Sequence, residues 1–390
     1  MTRAPRILIS AGEASGDRLG AGLALALRAR RPDAELFGMG GERMAAAGVR
    51  LLARSSDVAV VGFTEVLGRL PALLRARRAL ERALAVERPD LFVPIDFPDF
   101  HLRVVPRATR AGARVVYFVS PQIWAWRRGR IRAIRRHVRR MLVLFPFEER
   151  FYEAAGVPVT FVGHPAVDDP VVPPPFEALR HRAGLEPGRP AIALLPGSRP
   201  SEVGRLLPVL LGAAALLAAR RPAPQFLVPL APGLDPTLVT TRISRAGLDG
   251  IRTHAGEFPA ILATCVAGAV ASGTASLEAA LAGLPMVVVY RMAPLSYAVG
   301  RMLVRVEHVA LPNLVAGRRV VPELIQGECT ARSVAGHLAA FLDQPGLSDR
   351  VRAELAFVRA RLGAPGAFAR AAEAVLAELS LGPGMRAATC

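Results

Sequence analysis

The chain has 390 residues, of which 52% are hydrophobic, and a formal net charge of +18 that comes entirely from arginine, since it contains no lysine. This length is enough for two domains with full hydrophobic cores, and the charge favours an anionic partner such as nucleic acid, an acidic membrane surface or a phosphorylated substrate. The three cysteines are scattered without metal-ligand spacing, and turn residues interrupt the longest uncharged stretch, so the sequence predicts neither a cysteine metal site nor a membrane-spanning helix.

The first half of the chain alternates predicted strands with predicted helices. Strand 7–10 runs into the small-residue turn 11–17, which precedes a helix over residues 19–30. A helix N-terminus behind such a turn presents unpaired backbone N–H groups, which suit a phosphate or another anion. Further strands are predicted at 91–95, 115–119 and 141–145, and this alternation is typical of a parallel α/β sheet.

A strongly periodic helix is predicted over residues 70–86, and the segment from residue 66 onwards interleaves leucines with arginines. This basic amphipathic pattern favours an anionic membrane interface. A core-facing helix with a solvated arginine face has the same periodicity, so both interpretations stay open. The residues that we assign to contact with anionic lipid are Arg69, Leu73, Leu74 and Arg77.

Arginines are densest directly after Trp124, Ala125 and Trp126. A solvated helix face and an anion-facing surface both account for such a cluster. Its members are Arg127, Arg128, Arg130, Arg132, Arg135, Arg136, Arg139 and Arg140.

The second half follows a stiff proline-rich connection at residues 168–175, which predicts a domain boundary. A strand over 191–195 leads into the Gly-Ser turn 196–199, and further strands are predicted at 225–229, 267–270 and 286–290. Two anion-binding turns about 185 residues apart suggest two α/β domains that face each other across a cleft for a nucleotide-linked substrate.

The most specific stretch of the second half covers residues 271–278 and reads as a Ser/Gly/Thr turn that opens a helix. The turn offers N–H and hydroxyl donors suited to a diphosphate, from Ser272, Gly273, Thr274 and Ser276. Glu278, one turn into the helix, can accept hydrogen bonds from the two vicinal hydroxyls of a ribose. The alternative is a Ser272 helix cap with Glu278 as a surface charge.

Several common site patterns are missing from the sequence. It contains no P-loop pattern, no Gly-x-Gly-x-x-Gly after a strand and no Gly-x-Ser-x-Gly nucleophile elbow. It also lacks the Asp-x-Asp pair that binds a metal-bound sugar nucleotide. The sequence therefore favours stabilisation of a leaving group by arginine and helix N-termini, without a metal ion.

Ten short motifs follow one another along the chain. The first half contains AGEASGD (11–17) followed by Leu-Gly-Ala, VGFTEVLG (61–68), IDFPDF (95–100), VSPQIWAWR (119–127), FPFE (145–148) and FVGH (161–164). The second half contains LLPGSR (194–199), ASGTASLE (271–278), YRM (290–292) and LPNL (311–314). In this order and spacing they resemble the lipid-A-disaccharide synthases, glycosyltransferases of the GT-B fold, up to residue 380.

The resemblance implies two Rossmann-like parallel-sheet domains with an inter-domain cleft and a C-terminal helical segment. We expect an acceptor- and membrane-facing domain over residues 1–167 and a UDP-sugar-binding domain over residues 168–345. Residues 346–390 are expected to form helices that pack back on the N-terminal domain, and to end in a disordered tail.

The resemblance also implies a reaction. A glucosamine unit carrying two acyl chains moves from UDP to the 6-hydroxyl of 2,3-diacylglucosamine 1-phosphate, which yields a β-1,6-linked disaccharide 1-phosphate and UDP. The family inverts the anomeric carbon, which requires a base near the acceptor hydroxyl and positive character around the diphosphate. No cofactor and no metal ion are expected.

Three carboxylates are candidates for the base. Strand 91–95 delivers Asp96 and Asp99 to the carboxyl edge of the first sheet, where such folds bind ligands. The family pattern favours Asp99, although either residue also fits a simple turn beside a strand. Glu13, in the first turn, is the rival, and its place at a helix N-terminus suits an orienting group better than a base.

The resemblance places the nucleotide on the second domain. Arg199, after Gly197 and Ser198, can make paired hydrogen bonds to phosphate. Asn313 lies in the LPNL motif, which the family places at the active site, although a turn residue fits the same position.

Two residues beside the proposed base depart from the family pattern. His101 stands where the family usually has Asn, and Phe97 replaces a commonly small residue. Because the sequence offers His101 no obvious partner, we interpret it as a packing variant rather than a new catalyst.

Substrate chemistry sets the expected location and partners. A sugar with two long acyl chains stays in the bilayer, because each buried CH₂ contributes about 0.8 kcal/mol. The N-terminal apolar run is too short for a signal peptide, so we expect a cytoplasmic enzyme at the inner face of the inner membrane, with homodimer formation left open. Two alternatives remain: another UDP-sugar transferase or epimerase of the same fold, which should lack AGEASGD and Trp-Ala-Trp-Arg, and a nucleic-acid-binding protein, which would not explain Glu278.

Overall fold

The fold is that of a computed structural model, which describes residues 3–58, 65–124, 128–168, 176–220, 222–256, 258, 260–294, 297 and 307–380, without the side chains of 65–69 and 128. The chain divides into two compact units. The first comprises the described residues up to Asp168 together with those from Leu362 onwards, and the second comprises the described residues between them.

Each unit contains one parallel sheet. The first sheet is formed by β1 (Arg6–Ala11), β2 (Glu35–Gly40), β3 (Arg50–Arg54), β4 (Leu91–Ile95), β5 (Arg114–Phe118), β6 (Arg140–Val143) and β7 (Val159–Phe161), in the order β3-β2-β1-β4-β5-β6-β7. The second is formed by β8 (Ala191–Leu195), β9 (Gln225–Leu230), β10 (Ile251–Ala255), β11 (Ala267–Ala271), β12 (Met286–Tyr290) and β13 (Glu323–Ile325), in the order β10-β9-β8-β11-β12-β13. The predicted parallel α/β class is confirmed.

Helices connect the strands on both faces of each sheet. The described helices are α1 (Ala14–Arg30), α2 (Glu42–Ala46), α3 (Ser55–Val58), α4 (Glu65–Val86), α5 (Pro98–Arg110), α6 (Ile131–His137), α7 (Pro146–Ala154), α8 (Phe176–Arg182), α9 (Pro200–Ala218), α10 (Thr237–Ala246), α11 (Thr274–Leu281), α12 (Leu311–Ala316), α13 (Ala331–Asp343), α14 (Pro345–Arg361) and α15 (Ala367–Ser380). The first turn is shorter than predicted, because α1 already begins at Ala14.

The strand order reverses once in each sheet, and both reversals bring two motifs to one edge. In the first sheet β1 and β4 are neighbours, with Ala11 paired to Ile95. In the second sheet β8 and β11 are neighbours, with Leu195 paired to Val270. Because the carboxyl ends of parallel strands meet at one edge, the residues that follow these four strands emerge side by side, at the position where such folds bind ligands.

The first sheet is buried on both faces, and alternate residues of its strands face opposite layers. Leu8 of β1 belongs to a core with Leu80 of α4 and Val104 of α5. Ile9, one residue further, belongs to the opposite core with Leu23 of α1 and Val375 of α15.

The end of the chain divides between the units differently from the prediction for residues 346–390. Helix α14 packs against α11 and α12 within the second unit, where it buries Val351, Leu355 and Val358. Only α15 packs on α1, where Arg370 donates through Nε to the carbonyl of Val162 at 2.9 Å. The described chain therefore returns to the first unit at Leu362 rather than at residue 346. The predicted tail, and the proline-rich connection after Asp168, lie outside the described residues.

One described helix, α9, is long and apolar enough to cross a membrane, judged by length and composition alone, whereas the sequence predicted no such helix. Half of its apolar window is buried inside the second unit. It packs against α10 and α13, as the core helix of a globular domain also does.

Candidate functional site

The backbone after β4 takes an unusual conformation. Asp96 and Phe97 are consecutive residues in the left-handed region, with φ of 46° and 50°, directly before α5 begins at Pro98. Such conformations cost on the order of 1–3 kcal/mol each for residues other than glycine and persist only where the surroundings hold them. The Asp96 carbonyl is held by two donors, the Tyr117 hydroxyl at 2.7 Å and Nδ1 of His101 at 2.7 Å.

The Asp96 carboxyl is partly buried and lies near Glu13 of the first turn. Burial, and then the negative charge of Glu13, raise the pKa of Asp96 to about 6, while the Phe97 N–H opposes the shift. A carboxylate with this pKa is ionised at neutral pH, yet accepts a proton more readily than an ordinary aspartate. The register of β1 and β4 thus brings two of the three predicted base candidates together.

Asp99, the third candidate, has a different environment in the first turn of α5. Its side chain is 63% exposed and forms an ion pair with Arg130. The Arg130 guanidinium binds one carboxylate oxygen of Asp99, which would otherwise be available to accept a proton.

His101 is fully buried beneath this turn, and the structure supplies the partners that the sequence did not reveal. Its Nε2 lies 2.8 Å from the Ser10 hydroxyl, and its Nδ1 faces the Asp96 carbonyl. Burial lowers the pKa of His101 to about 4, so the ring is neutral at physiological pH. Asp17, also from the first turn, instead caps α2 by accepting from the backbone N–H of Gly41 at 2.6 Å.

The FPFE motif forms a buried polar position beside an aromatic group. Glu148 accepts from Nε1 of Trp124 at 3.3 Å and from the backbone N–H of Phe145 at 3.2 Å. Burial raises the pKa of Glu148 to about 8, so this carboxyl is protonated at neutral pH. Trp124 and Phe145 both contact the ring of Phe147. Residues 125–127 lie outside the described residues, and these include Trp126 as well as Arg127, the first arginine of the predicted cluster.

Part of the predicted arginine surface is paired within the chain. Arg130 binds Asp99, and Arg140 binds the buried Glu378 of α15 at 2.9 Å, with Arg139 at 3.8 Å from the same carboxylate. These three arginines serve internal contacts rather than a free anion surface.

Helix α4 has both a core-facing side and exposed leucines, the two arrangements that its sequence pattern left open. Leu80 and Leu84 lie in the core, and Leu73 packs partly against it. Leu70 and Leu74, near the N-terminal end, are 47% and 41% exposed. Of the two assigned arginines, Arg77 pairs with Glu81 at 2.6 Å, and the side chain of Arg69 lies outside the described residues.

In the second unit, the turn after β8 brings Gly197, Ser198 and Arg199 to the N-terminus of α9. The Glu202 carboxylate accepts from the backbone N–H groups of Ser198 at 3.1 Å and Arg199 at 3.3 Å, and pairs with the Arg199 guanidinium at 3.2 Å. Gly197 has φ of 105°, and a Cβ there would lie 2.4 Å from Glu202. The donors predicted for a phosphate therefore lie close together, and in this structure they bind a carboxylate of the chain.

The neighbouring turn after β11 exposes Gly273 and Thr274 at the N-terminus of α11. Gly273 has φ of 138°, which favours glycine. Ser272 donates to the Val309 carbonyl at 2.9 Å, and the buried Ser276 donates to the Gly273 carbonyl at 2.7 Å. Both hydroxyls therefore hold the turn, while Glu278 is partly buried one turn further on.

Asn313 of the LPNL motif is completely buried and its amide is saturated. Its Nδ2 donates to the Val321 carbonyl at 3.0 Å and to Glu323 at 2.7 Å, and its Oδ1 accepts from the N–H groups of Val320 and Val321. As placed, it supports the loop instead of presenting its amide to a ligand, so contact with UDP-sugar stays a prediction.

Sequence reasoning missed Glu323, which organises this region. Its carboxylate also accepts from the backbone N–H groups of Val309 and Ala310, each at 3.1 Å. The only local signal is a charged residue in the short strand β13. Among the described residues, no group of three or more His, Cys, Asp or Glu side chains is arranged to hold a metal ion.

Comparison with known proteins relates the chain to one family. Residues 7–352 match the family model described as lipid-A-disaccharide synthetase. The chain is 48% identical over 376 residues to the lipid-A-disaccharide synthase of Myxococcus xanthus, which covers 96% of this chain and 98% of that one. It is 45% identical over 373 residues to the enzyme of that name from Geobacter metallireducens, covering 95% and 96%.

Solved structures support the fold. The calicheamicin glycosyltransferase CalG4 superposes with a TM-score of 0.61 at 18% identity, covering 97% of this chain and 99% of that one. The UDP-GlcNAc 2-epimerase from Neisseria meningitidis, bound to UDP-GlcNAc, gives 0.62 at 11% identity, covering 95% and 100%. The GT-B type of two parallel-sheet domains and a helical C-terminal segment is confirmed.

Proposed function

The chain belongs to the lipid-A-disaccharide synthase family and is a glycosyltransferase of lipid A biosynthesis, and within that activity we propose its substrates and mechanism. The donor is UDP-2,3-diacylglucosamine and the acceptor is 2,3-diacylglucosamine 1-phosphate. The products are the β-1,6-linked disaccharide 1-phosphate and UDP. The observation that carries the proposal is 48% identity over 96% of the chain, a span that includes both units.

The transfer is a single displacement with inversion. The acceptor 6-hydroxyl oxygen forms a bond to the anomeric carbon while the bond from that carbon to the diphosphate oxygen breaks. The hydroxyl proton passes to a carboxylate, and the electron pair leaves with UDP. Such a step needs a base whose pKa lies near the working pH.

We assign the base to Asp96, although the family pattern favoured Asp99. The pKa of about 6, the partly buried carboxyl and the doubly held backbone support Asp96. The exposed Asp99, paired with Arg130, suits an orienting role. Glu13 contributes its charge, which keeps Asp96 basic.

The leaving group is stabilised by cationic and backbone donors of the second unit. The diphosphate replaces the Glu202 carboxylate at the start of α9, where it receives the N–H groups of Ser198 and Arg199 and the Arg199 guanidinium. Gly273 and Thr274 at the start of α11 supply the second donor set, and Glu278 binds the ribose hydroxyls.

The acyl chains bring the enzyme to the inner face of the cytoplasmic membrane as a peripheral protein. The exposed Leu70 and Leu74 of α4, beside the exposed Arg75 and Arg78, form a surface of suitable chemistry. We define these four residues as the α4 patch.

The test measures UDP release in detergent from the proposed donor, with and without the proposed acceptor. Wild type, Asp96→Asn and Asp99→Asn are compared, because both variants keep the side-chain shape while removing the charge. We expect acceptor-dependent release that falls by about 10²- to 10⁴-fold in Asp96→Asn and far less in Asp99→Asn. A larger loss in Asp99→Asn than in Asp96→Asn would assign the base to Asp99. If wild type releases no UDP in response to the acceptor, the substrate assignment is overturned.

A further inference from the structure

We propose that His101 is a positioning residue for glycosyl transfer, which holds the left-handed turn at Asp96 and thereby aims the Asp96 carboxyl. This inference rests on the proposed function, in which Asp96 is the base. His101 does not touch the carboxyl and acts through the backbone of the residue that carries it.

The left-handed conformation of this turn has to be stabilised by contacts from residues outside it. Asp96 and Phe97 both have positive φ, and neither is glycine, so the free chain would relax to another conformation. A relaxed turn would redirect the carboxyl away from its place beside Glu13. The hydrogen bonds around the turn therefore decide where the base points.

His101 supplies contacts on both sides of the turn. Its side chain donates from Nδ1 to the Asp96 carbonyl at 2.7 Å, and its backbone N–H donates to the Phe97 carbonyl at 3.0 Å. Tyr117 supplies the other donor to Asp96. A substitution at position 101 keeps the backbone bond but loses the side-chain bond unless the new residue carries a donor at the Nδ1 position.

The tautomer of His101 follows from its partners. A carbonyl can only accept, so Nδ1 carries the hydrogen, and the unprotonated Nε2 accepts from the Ser10 hydroxyl. Burial keeps the ring neutral, which preserves this arrangement at physiological pH. Four aromatic rings pack around the imidazole with centroids 5.4–6.3 Å away, those of Phe92, Phe97, Phe100 and Tyr117.

The imidazole also joins the turn to the strand that carries the first motif. Ser10 is the penultimate residue of β1, three positions before Glu13. The Phe97 ring also packs closely against Gly12 of the first motif, where a Cβ would lie 2.3 Å from it. Through Ser10 and Phe97, His101 fixes the β4 turn against the β1 turn, and so fixes Asp96 relative to Glu13.

Two isosteres separate this role from simple packing. The amide nitrogen of Asn occupies nearly the Nδ1 position, whereas that of Gln occupies nearly the Nε2 position. His101→Asn therefore keeps the donor to Asp96, His101→Gln keeps only a group towards Ser10, and His101→Leu keeps neither. His137→Leu, at a histidine of α6 that contacts Thr109, is the matched control.

We expect kcat to fall by about 10- to 100-fold in His101→Leu and His101→Gln, with the KM for donor little changed, because a displaced base costs rate rather than binding. His101→Asn should regain most of the lost rate, and His137→Leu should match wild type. Equal kcat in the Asn and Gln variants would overturn the proposal. If the Leu variant fails to fold, this comparison of Asn with Gln still decides it.

A second readout separates this inference from the proposed function. The titration of the Asp96 carboxyl, followed by carbon NMR, should shift towards an ordinary aspartate in His101→Gln and stay near that of wild type in His101→Asn. An unchanged titration in both variants would overturn the positioning role. Absence of acceptor-dependent UDP release in wild type would instead overturn the substrates, and the titration would still report on His101.

Discussion

The Glu202 carboxylate lies 3.1 Å from the backbone nitrogen of Ser198 and closes the N-terminus of α9 with a negative charge of the chain itself. Because the diphosphate in our proposal uses the same donors, the carboxylate and the ligand should compete for them. We predict that Glu202→Gln binds UDP about 3- to 10-fold more tightly, as the loss of a competing charge of roughly 1 kcal/mol implies. Isothermal titration calorimetry measures it, with Glu177→Gln, an exposed glutamate of α8, as the control. Weaker binding would show that Glu202 supports the ligand instead.

Asp96 should limit activity at low pH. Its pKa of about 6 means that the base becomes protonated as the pH falls through 6, so kcat/KM should drop about tenfold per pH unit below that value. The pH–rate profile of wild type should show this acidic limb, in which kcat/KM falls with pH, and the profile of Asp96→Asn should lack it. A limb near pH 4 would instead indicate an unperturbed carboxylate.

The same residue should reduce stability at neutral pH. A raised carboxyl pKa in the folded state contributes stability at low pH, and this contribution is lost as the pH rises through about 6. Asp96→Asn should therefore raise the free energy of unfolding at pH 7.5 by about 1–2 kcal/mol while it removes activity. Urea unfolding at pH 7.5 and pH 4 tests this, because the gain should disappear at the lower pH.

Glu148 should behave as a neutral group of the fold. Its pKa of about 8 exceeds the ordinary value of 4.5, so the folded chain holds a proton that the unfolded chain releases between these pH values. Wild type should lose stability across this window relative to Glu148→Gln, with the difference levelling above about pH 8. Thermal unfolding between pH 5 and pH 9 measures it, and parallel curves for the two proteins would contradict it.

Asn313 should contribute to stability through its buried amide. Asn313→Ala leaves Val320 N–H and Val321 N–H without a buried acceptor, so we expect a loss of about 2–4 kcal/mol. Gln344→Ala, at an exposed amide of the same unit, is the control in urea unfolding. A loss below about 0.5 kcal/mol would mean that water replaces these bonds.

The α4 patch should contribute to membrane binding. The double variant Leu70→Gln with Leu74→Gln should bind anionic phospholipid vesicles about 10-fold more weakly, since two partly exposed leucines lose their apolar contact. Leu25→Gln, at a leucine of α1 that is 59% exposed, is the matched control in vesicle sedimentation and should bind as wild type does. Equal binding by all three proteins would assign the membrane surface elsewhere.

Local sequence determined the elements of this protein and the positions of its turns. Short apolar runs such as β4 and β8 predict buried parallel strands, and a Gly-Ser turn such as 196–199 predicts a helix start, because these preferences act within a few residues. The motif spacing further identified the family. Glu202 follows this turn by only three residues, yet the sequence did not show that its carboxylate accepts from the N–H groups of the turn.

Only the tertiary structure decided which side chains meet. Ser10 and His101 lie 91 positions apart and touch because β1 and β4 are neighbours in the sheet. In the same way, β13 brings Glu323 to Asn313, and α14 joins the second unit through its buried face. Strand order and register set these contacts, and they arise from the packing of the whole core, which no local pattern encodes.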